Sequence, residues 1–509
     1  MVGMVSKMKL LRAWLKRVMV LVQSAAVVLA VLMPLTASAL PAFARQTGQN
    51  CVACHAGGQF PELTPYGRVF KMTGYTIGER TVPLSVMGVM SYAKVRDTTK
   101  TDDRTVDFQK NNSQIFATGS VFLAGKVTNN IGAFIQVTYD NYAGQSVGSD
   151  GGLGRFQSHS QADNMDIRYA DRFIDTNRDL IVGVSLNNNP SVSDPWSSAA
   201  AWMQYVPNAS PTSHQFVDGP FPGFGSGGNI AGATAYGYWN KTIYGELGLY
   251  GTANHAFSFM SQGISGVNRT TLGGTNPYWR LAYTREWGPH NIMVGTSGMV
   301  AHVFDGGSDT SDPNNRGRFK NAGIDSQYQY LLDPHSVTAQ VSYMRQTQNY
   351  SANSMAANAA NVAAGTTFFL ADGLTPVASA NSSDTTNTFR AKVSYVYQAK
   401  YGGSVAFFNL TGTTNTLNQT SGFDSTPSIS TTPDPVSGIT SLRVNGNLSG
   451  NPATRGFNYE AFWTPVQYVR LGVQYTAYNR FNGAGNNYDG FGRNASDNNT
   501  LRFYMWAAY

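Results

Sequence analysis

The stretch Tyr468-Val469-Arg470-Leu471-Gly472-Val473-Gln474-Tyr475-Thr476-Ala477 decides the fold. Val469, Leu471, Val473, Tyr475 and Ala477 take every second place, and Tyr468, Arg470, Gly472, Gln474 and Thr476 fill the places between. Successive side chains of a strand point to opposite faces, so a period of two reads as β structure with one apolar and one polar face. The same alternation sets Ile131, Ala133, Ile135, Val137 and Tyr139 against Gly132, Phe134, Gln136, Thr138 and Asp140. It recurs where Phe389, Ala391, Val393, Tyr395 and Tyr397 alternate with Arg390, Lys392, Ser394, Val396 and Gln398. Taken alone, the pattern fits a soluble sandwich as well as a membrane barrel with a polar lumen.

Composition favours the barrel. Only 13% of the 509 residues are charged, against ~25% in ordinary soluble domains. Glycine is abundant at 53 residues and aromatic residues reach 12%. Residues 1–39 read as a secretory leader: Lys7, Lys9, Arg12, Lys16 and Arg17 precede the apolar run Val18–Leu35 and the small-residue site Ala37-Ser38-Ala39. Cleavage before Leu40 takes those five positive charges from the formal net charge of +7 and leaves +2. The basic balance is therefore mostly leader, no basic run marks a nucleic-acid surface, and no nucleic-acid partner is expected. Beyond the leader no segment approaches the ~20 apolar residues that a membrane helix needs.

Sixteen strands are expected, near 83–96, 113–127, 130–141, 163–172, 179–188, 231–240, 242–251, 277–287, 290–301, 323–332, 335–347, 387–399, 402–412, 455–464, 467–479 and 499–509. Their connections alternate. Short ones fall at Asn129-Asn130, Asp175–Arg178, Asn240-Lys241, Gly288-Pro289, Asp333-Pro334, Lys400-Tyr401 and Pro465-Val466, with long loops at the other places. Short turns on one rim and long loops on the other mark a barrel of the bacterial outer membrane, with its short turns in the periplasm. The expected fold is thus an all-β, 16-stranded transmembrane outer-membrane β-barrel over 83–509, in contact with membrane lipid. An even strand number puts both barrel termini on the periplasmic side.

Residues 40–82 carry different chemistry. Cys51-Val52-Ala53-Cys54-His55 is a C-x-x-C-H, the attachment signature of a c-type haem. Two thiols one turn apart match the two vinyl groups, and the histidine that follows supplies the proximal iron ligand. Cys51 and Cys54 are the only cysteines in the chain. One covalent haem c is therefore expected, bound by Cys51, Cys54 and His55. Thr64 and Pro65 read as the cap and first position of a short helix over Pro65–Thr73, stopped by Gly74. Met72 on that helix reads either as the sixth iron ligand, which would raise the potential, or as packing. Some forty residues cannot enclose a haem alone, so the barrel is expected to do it. The third long loop, about Asn189–Ile230, bears Trp196, Trp202, Tyr205, Phe216, Phe221 and Phe224 and is expected to fold inward and seal the lumen. Arg45, Arg68, Lys71, Lys126, Arg168, Arg280, Lys392 and Arg470 either neutralise haem propionates or are ordinary lumen charges.

Pro41–Gly48, Cys51–His55, Pro61-x-Leu63, Gly67-Arg68-x-Phe70-Lys71 and Gly74-Tyr75 together resemble the fused monohaem cytochrome–porins of the bacterial outer membrane. The final Leu501–Tyr509, alternating and ending on an aromatic residue, resembles the assembly signal of outer-membrane barrels. The first resemblance implies electron transfer across the outer membrane: extracellular Fe(II) as donor, a periplasmic c-type cytochrome as acceptor, and activity of the iron:cytochrome oxidoreductase type. Outward electron flow to an extracellular acceptor, or a diffusion porin with a cytochrome appendage, are the alternatives. No catalytic triad is expected, and the oligomeric state is left open.

Overall fold

A computed structural model describes residues 41–58, 62–97, 112, 114–147, 153–196, 229–261, 271–305, 308–356, 381–415, 449–488 and 492–509. The leader lies outside the described residues, as do Trp202, Tyr205, His214, Phe216, Phe221 and Phe224 of the third loop.

The strands are β1 Leu84–Val95, β2 Gln114–Lys126, β3 Ile131–Val147, β4 Leu153–Ile174, β5 Asp179–Asn187, β6 Ile230–Trp239 and β7 Ile243–Thr252. After the two-residue β8, Thr271–Leu272, come β9 Asn276–Trp287, β10 His290–Phe304, β11 Arg316–Leu332, β12 His335–Asn349, β13 Ser383–Tyr397, β14 Tyr401–Gly412, β15 Thr454–Val466, β16 Val469–Arg480 and β17 Thr500–Ala508. Setting β8 aside, these are the sixteen expected strands. Each pairs antiparallel with its sequence neighbours, and β1 pairs with β17 from Met87↔Ala508 to Val95↔Thr500, closing the sheet. Closure leaves no edge strand with unpaired backbone groups, the condition for β structure in lipid.

Burial decides between sandwich and barrel. On β16 the polar set is inside: Arg470, Gln474 and Thr476 are 6%, 2% and 1% exposed, whereas Leu471 and Tyr475 are 37% and 40% exposed. On β13, Arg390 and Lys392 are buried and Val393 and Tyr395 exposed. A soluble sandwich would bury the apolar set; here it faces outward all round the barrel, which only lipid can cover. At the short-turn rim Trp239, Tyr283, Trp287, Tyr397, Tyr401, Trp463 and Tyr509 are exposed, the aromatic girdle of a membrane interface. His290 and His335 sit in this girdle, their Nδ1 atoms 2.7 and 2.8 Å from the hydroxyls of Tyr328 and Tyr395. The chain is an outer-membrane β-barrel.

Three expectations need correction. β3 and β4 run outward as one long hairpin, leaving only 148–152 between them in place of a long loop. The turn expected at Lys400-Tyr401 is made by Gln398 and Ala399, both at positive φ, 52° and 54°. That is the hairpin turn whose twist matches the flanking strands, but neither residue is the Gly, Asn or Asp that advertises it. The turn expected at Pro465-Val466 lies after Val466, because β15 continues past Pro465 through an irregularity in its pairing with β16.

Candidate functional site

Among the described residues before β1 the chain forms three short α-helices: α1 Pro41–Thr47, α2 Cys51–Cys54 and α3 Pro65–Met72. The Thr64 hydroxyl accepts the Gly67 N–H at 3.1 Å and Pro65 occupies the first turn, so α3 starts where the sequence places it. It stops at Gly74, φ +72°, where the Tyr75 and Gly74 N–H groups donate to the Phe70 and Lys71 carbonyls. Gly67 is required by proximity: a Cβ there would stand 2.1 Å from the Cys54 carbonyl oxygen. The helix is pressed directly onto the C-x-x-C-H turn.

This segment is a plug inside the barrel at the short-turn end. Arg68 donates to the side-chain oxygens of Asn291 and Gln329, at 3.0 and 3.1 Å, both next to short turns. Gln46 donates to the Tyr75 and Ile77 carbonyls and accepts the Lys126 N–H from β2. Phe43 stacks on Tyr75 at 5.3 Å and meets Phe70 at 5.0 Å. The Tyr75 hydroxyl donates to Asp166 at 2.6 Å, and Asp166 also pairs with Arg168 at 2.8 Å. Ala42 donates to Ser85. Among the motif residues that carried the resemblance, Ala42, Gln46, Arg68 and Tyr75 thus make contacts that dock the plug.

The third loop enters the lumen as far as it is described. Its short helix α4, Pro190–Ser193, offers the Val192 carbonyl to Lys71, which also donates to the Asp194 carbonyl at 3.1 Å. Asp194 reaches Arg280 at 3.3 Å, and Arg280 also pairs with Asp325. Trp196 packs edge-on against Tyr244 at 5.4 Å, and the guanidinium groups of Arg68 and Arg280 lie 6.0 and 5.5 Å from its ring. Loop, plug helix and wall therefore share one buried network.

Cys51 is buried and Cys54 partly so, and they are not joined to each other. The Cys51 N–H donates to Gln467 Oε1 at 3.5 Å, which sets the motif against the last short turn. Burial pushes the Cys54 thiol up to about 11. His55 leaves α2 in extended conformation, at φ −118° and ψ 134°. Part of its side chain is accessible, but Nδ1 is buried and has no hydrogen-bond partner. Burial, opposed by Glu62 and reinforced by Lys71, pushes its imidazole down to about 4. The ring is neutral at pH 7, the form that ligates a metal. Burial likewise pushes Lys71 down to about 8, with Arg168 adding to it.

Two thiols one helical turn apart and not joined to each other, a neutral imidazole with an uncommitted buried nitrogen, and an enclosing wall are the residues a covalent haem asks for. Met72 is fully buried among Val69, Ile181, Trp196, Tyr236, Tyr238, Tyr244, Ala282 and Met293, and its carbonyl accepts from the Tyr236 hydroxyl at 2.7 Å. That is a packing environment. Met72→Ala is expected to cost about 2–5 kcal/mol, read as a lower temperature for loss of the compact form on a gel. Loss of a methionine–ferric charge-transfer absorption in the same variant would add ligation to packing.

Of the eight cations expected near a haem, Arg168, Arg280, Lys392 and Arg470 are ion-paired with Asp166, Asp194 and Asp325, Glu62, and Glu460 respectively. Arg45 caps the Val82 and Leu84 carbonyls. Sequence reading missed Glu62, whose partner lies on β13; its place seven residues after the motif histidine was the only available clue. Among the described residues no three His, Cys, Asp or Glu side chains gather into a metal site.

No protein-family model matches the chain, and no curated protein does. Solved structures similar to it include OmpF of Salmonella typhi in complex with daunomycin, 11% identical over 84% of this chain and 97% of that one, with a TM-score of 0.44. The outer-membrane channel DcaP of Acinetobacter baumannii is 11% identical over 84% of this chain and 96% of its own, with a TM-score of 0.38. An anion-selective porin from Comamonas acidovorans is 8% identical over 84% and 99%, with a TM-score of 0.39. At these scores the likenesses carry nothing about cargo or chemistry.

Proposed function

We propose that the chain is an electron conduit of the outer membrane, with one haem c attached through Cys51 and Cys54 and ligated by His55. The reading rests on one observation: the segment bearing C-x-x-C-H is packed into the barrel lumen, its Arg68, Lys71 and Tyr75 bonded to the wall and the third loop. A cytochrome appendage on a diffusion porin has no need of that docking. The resemblance to monohaem cytochrome–porins supports the same reading, as does the match between the residues present and the needs of a covalent haem. When bound, haem supplies a one-electron iron couple and needs no proton donor from the protein. The chain's own residues do the rest. Cys51 and Cys54 fix the group, His55 holds it from the proximal side, and Arg68, Lys71 and Gln46 hold the plug at the periplasmic end. Trp196 and α4 narrow the lumen beside it.

Extracellular Fe(II) is the proposed donor and a periplasmic c-type cytochrome the acceptor. The apolar band of such a barrel is about 25 Å tall, too far for an electron to cross without a centre inside. Leaving the ferric product outside keeps its precipitate out of the periplasm. Mixing the oxidised, detergent-held protein with Fe(II) in a stopped-flow spectrometer is expected to give reduced-haem absorption promptly. If dithionite reduces the haem and Fe(II) does not, the donor is another species or the flow is outward.

A further inference from the structure

The Glu62–Lys392 pair is poorly explained as an anchor. Its two side chains are about 7% and 8% exposed, with Oε1 and Nζ 2.6 Å apart. Taking both charges out of water costs about as much as their attraction returns, and apolar residues of similar size hold two surfaces together equally well. β13 is fixed without the pair, since Lys392 is laddered to Gln340 on β12 and Ala406 on β14. What the pair does fix is the position of one negative charge. The Glu62 carbonyl accepts the Ala56 N–H at 2.8 Å, and Leu63 forms a β-bridge with His55. The backbone that carries the carboxylate is therefore paired with His55 and the residue after it. The matching positive charge comes from the wall, 330 residues away in sequence.

We propose that Glu62, held ionised by Lys392, is a positioning residue that sets the reduction potential of the haem ligated by His55. The inference rests on the haem reading above. A carboxylate beside the proximal ligand favours the ferric over the ferrous state, because oxidation adds one positive charge to the centre. The wall lysine keeps that carboxylate ionised in a site from which water is excluded. Arg470, paired with Glu460 at 2.9 Å, adds a second positive charge in the same sector.

The test is potentiometry of the full-length haem protein and of two variants, with protease protection of the plug measured alongside. Glu62→Gln is expected to raise the midpoint potential by about tenfold in the one-electron equilibrium, which is about 59 mV. The charge-swapped double variant Glu62→Lys with Lys392→Glu restores a buried pair, so its plug is expected to stay protected while its potential rises above the wild type, by less than in Glu62→Gln because the two reversed charges partly cancel at the iron. Arg172→Gln, which breaks an exposed pair with Asp179 at the rim, serves as the charge control and is expected to shift neither. If Glu62→Gln loses protection but keeps the wild-type potential, or the swap is protected and unshifted, the pair is only a staple and the inference falls. If Glu62→Gln fails to assemble, the swap alone decides. A wild-type protein without covalent haem would overturn the conduit reading itself, and this inference with it.

Discussion

Asp166→Leu is expected to release the plug and turn a poorly conducting barrel into an open pore. Asp166 is 1% exposed, and three groups converge on it. Its Oδ2 accepts the Tyr75 hydroxyl at 2.6 Å and Arg168 Nε at 2.8 Å, and its Oδ1 accepts the Ser185 hydroxyl at 2.7 Å. Leucine leaves the Arg168 guanidinium buried without its counter-charge, a loss of about 3–5 kcal/mol. It also leaves the Tyr75 hydroxyl with no acceptor, a further ~1–3 kcal/mol. The cheapest relief is for the plug to leave and for water to reach Arg168. β4 itself should persist, since its pairings with β3 and β5 are made by backbone. Planar-bilayer recordings are expected to show small, rare currents for the wild type and steady large ones for the variant, with the plug newly open to protease. Large steady currents in the wild type would show that plug and third loop do not close the lumen.

The second large effect concerns the thiols. The double variant Cys51→Ser with Cys54→Ser is expected to lose all covalent haem, because a hydroxyl does not add across a vinyl group as a thiol does. A haem stain on a denaturing gel would read zero. The barrel should still assemble and the plug should still dock, since its contacts through Gln46, Arg68, Lys71 and Tyr75 involve neither sulfur. Retention of haem after denaturation in this variant would mean that attachment does not run through the C-x-x-C-H residues. His55→Ala separates the two roles of the motif: thioether attachment is expected to survive while the ferric spectrum changes with loss of the proximal nitrogen.

Much of this organisation is legible in a line of residues. The short turns at Asp175–Arg178, Gly288-Pro289 and Asp333-Pro334 carry their own markers, Asp, Gly and Pro, and they lie where the sequence puts them. Gln398-Ala399 carries no marker, so the reading slid to Lys400-Tyr401. The length of the β3–β4 hairpin was hidden for a similar reason. Its outer part, Gly144 to Gln157, is rich in Gly, Ser and Gln and lacks the alternation of the membrane-crossing part. The cap and stop of α3 were visible because Thr64, Pro65 and Gly74 act within a few residues of themselves.

Sequence by itself determined the strand number, most of the short turns, the place of the C-x-x-C-H motif and the short helix after it. Each of these is set by local spacing: a period of two, a turn residue, two thiols and an imidazole within five positions. Only the tertiary structure decided between sandwich and barrel, by showing the polar faces inside, and fixed how the C-x-x-C-H segment is bonded to the lumen wall. It alone brought Glu62 to Lys392, Arg68 to Gln329 and Lys71 to the third loop. The reason is closure. Joining β1 to β17 turns a row of strands into a cylinder, and residues hundreds of positions apart become neighbours across its lumen. No local pattern encodes such a meeting, because each partner sees the other only after every strand between them has paired.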